Sequence, residues 1–288
     1  MIVARTVEEL VARPRTVAIG SFDGVHRGHR RALDTARAAG PSPTVVTFWP
    51  HPRLVLGNEV ELLSTLERRV ELLEAAGAEE VLVVDFTPDV AALPAEEFAE
   101  AVLRRIGTTT VVVGENFRFG RGAAGDGRLL ERLGFDVRLV PLLEGVSSTR
   151  VRALLREGDV AAAAQLLGRP AELDGTVVLG DQRGGTLGYP TANLALQPHM
   201  AVPAFGIYAG AALGHRAAIS IGVNPHYGGD ERRIEPHLLD FEGDLYGRRL
   251  VVELWLRLRD EQAFESEAEL IAQIVRDVDA TRSAVPPV

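Results

Sequence analysis

Two histidines three residues apart, His26 and His29, close the glycine-spaced run Gly20-Ser-Phe22-Asp23-Gly24-Val-His26-Arg-Gly28-His29. Glycines at 20, 24 and 28 let backbone approach a ligand closely, and a helix beginning near Gly28 would aim unpaired N–H groups and a partial positive charge at an anion. Imidazole donors at that mouth suit phosphate chemistry, in which preorganised donors meet the charge that builds on a transferring phosphorus. A metal half-site and a pair of idle surface histidines are the other readings. Zinc would want further ligands, and the chain offers no Cys and no His-Glu-x-x-His.

The elements that must position this run alternate along the first part of the chain. Short β-branched segments at 16–20, 44–48, 80–85, 110–114 and 136–140 read as strands. Amphipathic segments at 28–39, 65–76, 94–106, 128–133, 148–157 and 160–167 read as helices. Such alternation predicts a parallel sheet wrapped by helices, with ligands beyond the carboxyl ends of its strands. Polar clusters fall there: Trp49-Pro-His51-Pro-Arg53, Gly114-Glu-Asn116-Phe117-Arg118-Phe119-Gly120 and Ser147-Ser148-Thr149-Arg150-Val-Arg152. Each also has a plain reading: Pro-His-Pro as a rigid turn, Asn116 as a turn residue, and Ser147 or Ser148 as a helix cap. A helix start carrying Ser, Thr and two Arg is equally a triphosphate site.

Near Gly168 the alternation ends, which divides the chain into domains 1–168 and 169–288. Strands are predicted at 173–179, 206–213, 217–222, 234–240 and 249–259, with turn glycines at Gly228, Gly229 and Gly243, as in a small antiparallel barrel. A last helix over 266–279 opens on a capping-box pattern, Ser266 to Glu269, and presents Leu270, Ile274 and Val278 to pack on the barrel. Within Gly188-Tyr-Pro190-Thr191-Ala-Asn193, Thr191 and Asn193 could share a Mg²⁺, an ion that favours oxygen ligands and keeps several waters; the local alternative is a turn. Glu235 is a candidate general base, or a solvated strand residue paired with Arg232 or Arg233.

Composition bounds the chemistry. At 288 residues, with domains typically about 150 residues long, two cores are expected, and 46% hydrophobic with 25% charged residues is ordinary for a globular enzyme. A net charge of -9 argues against nucleic-acid or anionic-membrane partners, which need broad basic surface, and leaves small phosphorylated ligands. With no cysteine there is no disulfide or thiolate catalysis. The chain also contains no lysine, so a Walker-A lysine, a pyridoxal Schiff base and a lysyl-adenylate are excluded together. Arg5, Glu8 and Glu9 do not suit a secretory leader, and a cytoplasmic location is expected. The uncharged stretch 184–214 is broken by Pro190, Pro198 and Pro203, against a membrane span.

Taken in order, the motifs closely resemble the prokaryotic bifunctional riboflavin kinase/FMN adenylyltransferase family, the FAD synthetases, over nearly the whole chain. The first-half clusters, with Thr47-Phe-x-Pro-His-Pro52, are similar to its adenylyltransferase half. Gly188-x-Pro-Thr-Ala-Asn193, Gly206-Ile-Tyr208, His237-Leu-Leu-Asp-Phe241, Gly243-Asp-Leu-Tyr-Gly247 and Arg259-Asp-Glu-x-x-Phe264 are similar to its kinase half. The His-x-Gly-His motif alone belongs to a wider nucleotidyltransferase superfamily; its pairing with the second half is the specific signal.

The resemblance implies a Rossmann-like α/β nucleotidyltransferase domain followed by a riboflavin kinase-like antiparallel β-barrel with a C-terminal helix. The barrel would phosphorylate riboflavin with MgATP, and the first domain would transfer AMP from ATP to FMN, releasing pyrophosphate. Glu235 would be the kinase base and Thr191 and Asn193 the metal ligands, with Gly180, Arg183, Gly188, Pro190, Arg259 and Phe264 binding ATP or flavin. His26, His29 and Arg150 would be catalytic in adenylyl transfer, with Gly20, Phe22, Asp23, Gly24, Gly28, His51, Asn116, Phe117, Arg118, Phe119, Ser147, Ser148, Thr149 and Arg152 binding ATP or FMN. Leu179, Gly185 and His226 depart from common family forms and bear on nucleotide affinity in the kinase half. Two alternatives stand beside this reading: an adenylyltransferase with a kinase-impaired barrel, and a non-catalytic flavin-binding sensor. The expected partners are small molecules, with a homo-oligomer compatible.

Overall fold

Valine and threonine, branched at Cβ, favour extended backbone where neighbours can pack on both faces. In the computed structural model, which describes residues 1–179, 189–223 and 232–288, such runs form β1 (Ile2–Ala4), β2 (Arg15–Ile19), β3 (Pro43–Trp49), β4 (Glu80–Asp85), β5 (Thr108–Gly114) and β6 (Asp136–Val140). They pair in the order β1-β4-β3-β2-β5-β6, every pairing parallel. Helices follow the strands: α1 (Arg27–Ala39), α2 (Pro52–Val55), α3 (Leu66–Ala75), α4 (Pro88–Ala92), α5 (Ala95–Phe98) and α6 (Gly127–Arg132).

Strand alternation supplies a core on each face of this sheet. Val17, Ile19, Val46, Phe48, Val111 and Val113 enter one, with Phe98 of α5 and Leu130 of α6. Ala18, Val45, Val81, Val83 and Val112 enter the other, with Leu33 and Ala36 of α1 and Leu72 and Leu73 of α3. The five predicted strands are present, β1 is an addition too short to show a period, and the helix expected over 94–106 is α5 continued by wide π-type turns at Ala99–Arg104.

The remaining elements are α7 (Ser148–Glu157), α8 (Val160–Leu167), β7 (Ala171–Val178), β8 (Asn193–Leu196), β9 (Gly206–Ala212), β10 (His215–Val223), β11 (Arg232–Leu238), β12 (Arg249–Arg259) and α9 (Glu267–Ser283). The strands form an antiparallel sheet in the order β11-β10-β9-β12-β7-β8. It curls nearly closed, and just before β8 the Ala192 N–H donates to Pro236 O on β11 at 2.9 Å. Ala217, Ile219 and Ile221 of β10 point into the barrel with Tyr208, Ile234, Leu250, Val252 and Leu254; the residues between them face outward. The uncharged stretch 184–214, in which the only predicted strand begins at 206, also contains β8.

Two compact units result, Met1–Glu61 with Leu66–Ser147, and Leu62–Thr65 with Ser148–Val288. This division falls earlier than the sequence boundary at Gly168, because α7 buries Val151, Leu154 and Leu155, and α8 buries Val160, Ala163 and Leu167, in the barrel's core. Leu62–Thr65 joins the second unit by backbone and side chain. Leu62 N–H donates to His199 O at 2.6 Å and Ala201 N–H to Leu62 O at 2.8 Å, while the Thr65 hydroxyl donates to Asp174. Arg249 grips the same carboxylate with two N–H donors at 2.8 and 2.9 Å.

At the amino end of the parallel sheet, Arg15 and Glu80 are buried together, with Arg15 Nε donating to Glu80 Oε2 at 2.6 Å and Thr44 Oγ1 donating to the same oxygen at 2.9 Å. Burial opposes ionisation of Glu80, but Arg15 and Thr44 outweigh it and hold the carboxyl below its ordinary value. A depressed folded value stabilises the fold above the unfolded carboxyl value, and that contribution disappears as pH falls through the folded one. Glu80→Gln leaves the Arg15 charge buried without its counterion and is expected to cost about 3–5 kcal/mol. Urea unfolding of both proteins near neutral pH measures the loss, and the difference between them should shrink in acid.

Candidate functional site

β2 ends at Ile19, and the chain then bends through three residues with positive φ, Phe22 at 49°, Gly24 at 80° and Val25 at 39°, before α1 begins. Side chains seldom adopt that region, so the loop is held by its surroundings. His26 caps α1, its Nδ1 accepting the His29 N–H at 3.3 Å. With Nδ1 so used, a neutral His26 carries its proton on Nε2 and presents a donor there. The two imidazoles stack with centroids 3.6 Å apart and planes 13° from parallel, and the Phe22 ring tilts against His29 at 5.1 Å. Gly28 makes this possible, because a Cβ there would sit 3.1 Å from His26 Cε1. At Gly20 an added Cβ would meet the Phe22 ring at 3.4 Å, an ordinary van der Waals contact, so the Phe22 ring borders that position.

Asp23 is buried and ion-paired with Arg69 at 3.3 Å. His51, at the carboxyl end of β3, is also buried, and its Nδ1 accepts the Arg53 N–H at 3.2 Å as the cap of α2. After β5, Asn116 and Arg118 are exposed. Phe117 stacks on Phe119 at 5.5 Å, and Phe119 lies in the core against Phe98, which makes it support for Phe117. The structure therefore gathers the predicted first-half residues from Gly20 through Phe119 after β2, β3 and β5. Ser147 ends the first unit; Ser148, Thr149, Arg150 and Arg152 belong to α7 in the second. Arg150 is exposed, 3.9 Å from Glu157, and Arg152 is buried.

In the second unit the outward residues of β9, β10 and β11 line a cavity of about 320 Å³ between the barrel and α9. Glu235 and His237 of β11 face it beside Ala218 and Ser220 of β10, with Ser220 directly opposite Glu235 in the strand register. Arg233 Nη1 lies 4.0 Å from Glu235 Oε1. Leu270, Ile274 and Val278 of α9 form the opposite wall, so the apolar face expected to pack on the barrel also encloses a space with it. Arg259 and Phe264 line the same cavity.

A second cavity of about 260 Å³, lined by Pro190, Ala192, Phe241, Asp244 and Tyr246 among others, shares Thr191 with the first. The segment that carries Thr191 is tied to β11 twice: Ala192 N–H donates to Pro236 O, and His237 Nδ1 contacts Pro190 O at 2.8 Å. Tyr189 packs edge-on against His237 at 5.6 Å. Asn193, the first residue of β8, pairs with Val178 and stands two positions beyond Thr191. Among the described residues no group of three or more His, Cys, Asp or Glu could hold a metal. The uncharged oxygens of Thr191 and Asn193 suit a hydrated, phosphate-bound hard cation better than a protein cage. Leu179 is exposed; Gly180, Arg183, Gly185, Gly188, His226, Gly228 and Gly229 lie outside the described residues.

Sequence reading missed Asp277. It is buried on the cavity face of α9, held by Arg259 Nε at 3.0 Å and Nη2 at 2.7 Å and by Gln273 Nε2 at 2.8 Å. Its position beside Ile274 and Val278, an acid on an apolar stripe, was the available signal. Arg259, expected to bind ligand, is thereby an anchor of α9 across the cavity.

Both halves match known families. The FAD synthetase model matches residues 9–151 and the riboflavin kinase model residues 167–285. A bifunctional riboflavin kinase/FMN adenylyltransferase of Escherichia coli K12 is 37% identical over 281 residues, 91% of this chain and 90% of its own. Its Bacillus subtilis counterpart is 33% identical, covering 91% and 89%. Among solved structures, one from Streptococcus pneumoniae described as a macrolide-efflux protein aligns with a TM-score of 0.86 at 31% identity, over 98% of each chain. No helix among the described residues is long and apolar enough to cross a membrane. Asp277→Asn is expected to weaken the anchoring of α9 by about 1.5–3 kcal/mol, the worth of hydrogen bonds to a charged group. Hydrogen–deuterium exchange should show faster exchange across Glu267–Ser283 than in β2 or β5.

Proposed function

The chain belongs to the bifunctional riboflavin kinase/FMN adenylyltransferase family, and from that premise we propose which residues perform each step. The enzyme works in FAD biosynthesis, converting riboflavin to FMN and FMN to FAD with ATP. We assign the kinase step to residues 169–288 and adenylyl transfer to 1–168, with α7 and α8 serving the first domain in sequence while packing on the barrel.

The observation that carries the kinase assignment is Thr191, which borders both barrel cavities while Glu235 lines the larger one. Riboflavin fits the larger cavity, flat ring toward Phe264 and the apolar wall of α9, and the nucleotide fits the smaller. A primary alcohol is a weak nucleophile, so Glu235 accepts or orients the ribityl 5′-hydroxyl proton as the oxygen bonds to the γ-phosphorus and ADP leaves. Thr191 and Asn193 would hold Mg²⁺ with waters and ATP oxygens; the ion, when bound, neutralises phosphate charge. Gly180, Arg183, Gly188 and Pro190 bind ATP or flavin in this reading.

In adenylyl transfer an FMN phosphate oxygen bonds to the α-phosphorus of ATP, and the α–β bridge breaks to release pyrophosphate. That nucleophile is already an anion, so no base is required; charge must be neutralised. His26, with its Nε2 donor, and His29 serve this; for Arg150 and Arg152 the same role rests on the family resemblance alone. Asn116 and Phe117 contact FMN. We place the enzyme in the cytoplasm with small molecules as its partners; the net charge of -9 supports the absence of nucleic-acid and membrane ligands. The match over both halves favours this over a kinase-impaired or non-catalytic flavin binder.

Glu235→Gln should slow riboflavin phosphorylation by about 100- to 10,000-fold, the usual worth of a general base, and leave FMN adenylylation nearly intact. His29→Ala should do the reverse. Chromatography of the flavins formed from riboflavin or FMN with MgATP reads both steps, and loss of both activities in either folded variant would refute separate sites.

A further inference from the structure

Arg69 has no place in the motifs, yet it is a fully buried charge of the first unit, on the first turns of α3. Its guanidinium reaches two loops at once. Nη2 donates to Asp23 Oδ1 at 3.3 Å, on the loop after β2. Nη1 donates to Phe48 O at 3.4 Å, and the guanidinium carbon lies 5.4 Å over the Trp49 ring, at the end of β3. The first loop leads into His26 and His29; the second leads into His51.

Stability alone does not account for this arrangement. Removing an arginine and a carboxylate from water is costly, and well-packed apolar residues of similar volume often stabilise a fold as well or better. A planar guanidinium adds something else: donors in a fixed fork, with a face for an aromatic ring, so one side chain sets the spacing of separate backbone segments. The loop it holds needs such restraint. Asp23 sits between Phe22 and Gly24, both at positive φ, and Val25, a β-branched residue at 39°, follows them. A strained backbone persists only where its surroundings over-determine it, and the ring geometry of His26 and His29 starts from that backbone.

We propose that Arg69 is a positioning residue for adenylyl transfer, bracing the loops after β2 and β3 so that the histidine donors hold one geometry. It touches neither substrate nor reacting atoms in this role. The proposal rests on reading residues 20–29 as the adenylyl-transfer site. Arg69→Lys keeps the charge but replaces the fork with a single ammonium that cannot serve Asp23 and Phe48 together.

The test uses the full-length enzyme, measuring kcat and KM for FMN adenylylation, riboflavin phosphorylation in the same preparation, and thermal unfolding. A displacement of about 1 Å can cost about 100-fold in rate, so Arg69→Lys should lower the adenylylation kcat by about 10- to 100-fold. The KM for ATP should stay within about twofold, and phosphorylation should be unchanged, as positioning without lost binding requires. Wild-type adenylylation kcat in folded Arg69→Lys overturns the proposal. So does a loss that tracks thermal destabilisation and is restored by cooling or by a stabilising osmolyte. If Arg69→Lys does not fold, Arg69→Gln is judged by the same criteria, and failure of both to fold assigns Arg69 to stability and overturns the proposal. An unchanged rate in His29→Ala would instead sink the site reading itself.

Discussion

A β-strand can turn only every second side chain toward one face, and in the barrel that limit separates stability from chemistry. Ile219 and Ile221 go inward, so Ala218 and Ser220 must go outward. Ile234 and Leu238 go inward, so Glu235 and His237 go outward. The larger cavity accordingly lies outside the barrel, walled by α9, and the tightly packed interior is left undisturbed. The same alternation brings Pro236 and His237 within reach of the Pro190–Ala192 backbone, which fixes Thr191 beside the cavity. A one-residue slip of β11 would bury Glu235 and expose Ile234.

The parallel sheet divides the same tasks along its strands. At the amino ends of β2, β3 and β4, Arg15, Thr44 and Glu80 form a buried polar lock. At the carboxyl ends stand the loops that hold His26, His29 and His51, with a second buried arginine, Arg69, between them. Parallel pairing makes this polarity unavoidable, since all connections of one kind gather on one rim. Each rim carries a buried arginine–carboxylate pair, and only the one at the carboxyl ends lies beside the clustered histidines.

What the sequence disclosed follows from range. β2 to β6 were legible because β-branched runs declare themselves within a few residues, and α7, α8 and β12 because their apolar periods are strong. β1 holds three residues, too few for a period, and β8 is hidden in an uncharged stretch that also reads as turn. The sequence boundary at Gly168 marked where alternation of strands and helices stops, whereas the compact division reflects which core α7 and α8 fill. Individual motifs placed His26, His29, Thr191 and Glu235 in chemically sensible settings. Arg69 was not legible and Asp277 left only the sign of an acid on an apolar stripe, because a lone charge in an amphipathic helix looks solvated until its partner is known. Those partners, Asp23 and Arg259, lie 46 and 18 residues away in sequence.

Leu62–Thr65 gives the chain an order of events. It is synthesised between segments of the first unit, yet its strand-like partner is His199–Ala201 and its hydroxyl partner Asp174, made 109 residues after Thr65. During translation this short stretch has no mate until most of the barrel has left the ribosome. The parallel-sheet unit can form around it early, while its own seat forms late. In the finished fold an early-made segment is seated in a late-made barrel, so neither half consists of one continuous run of residues.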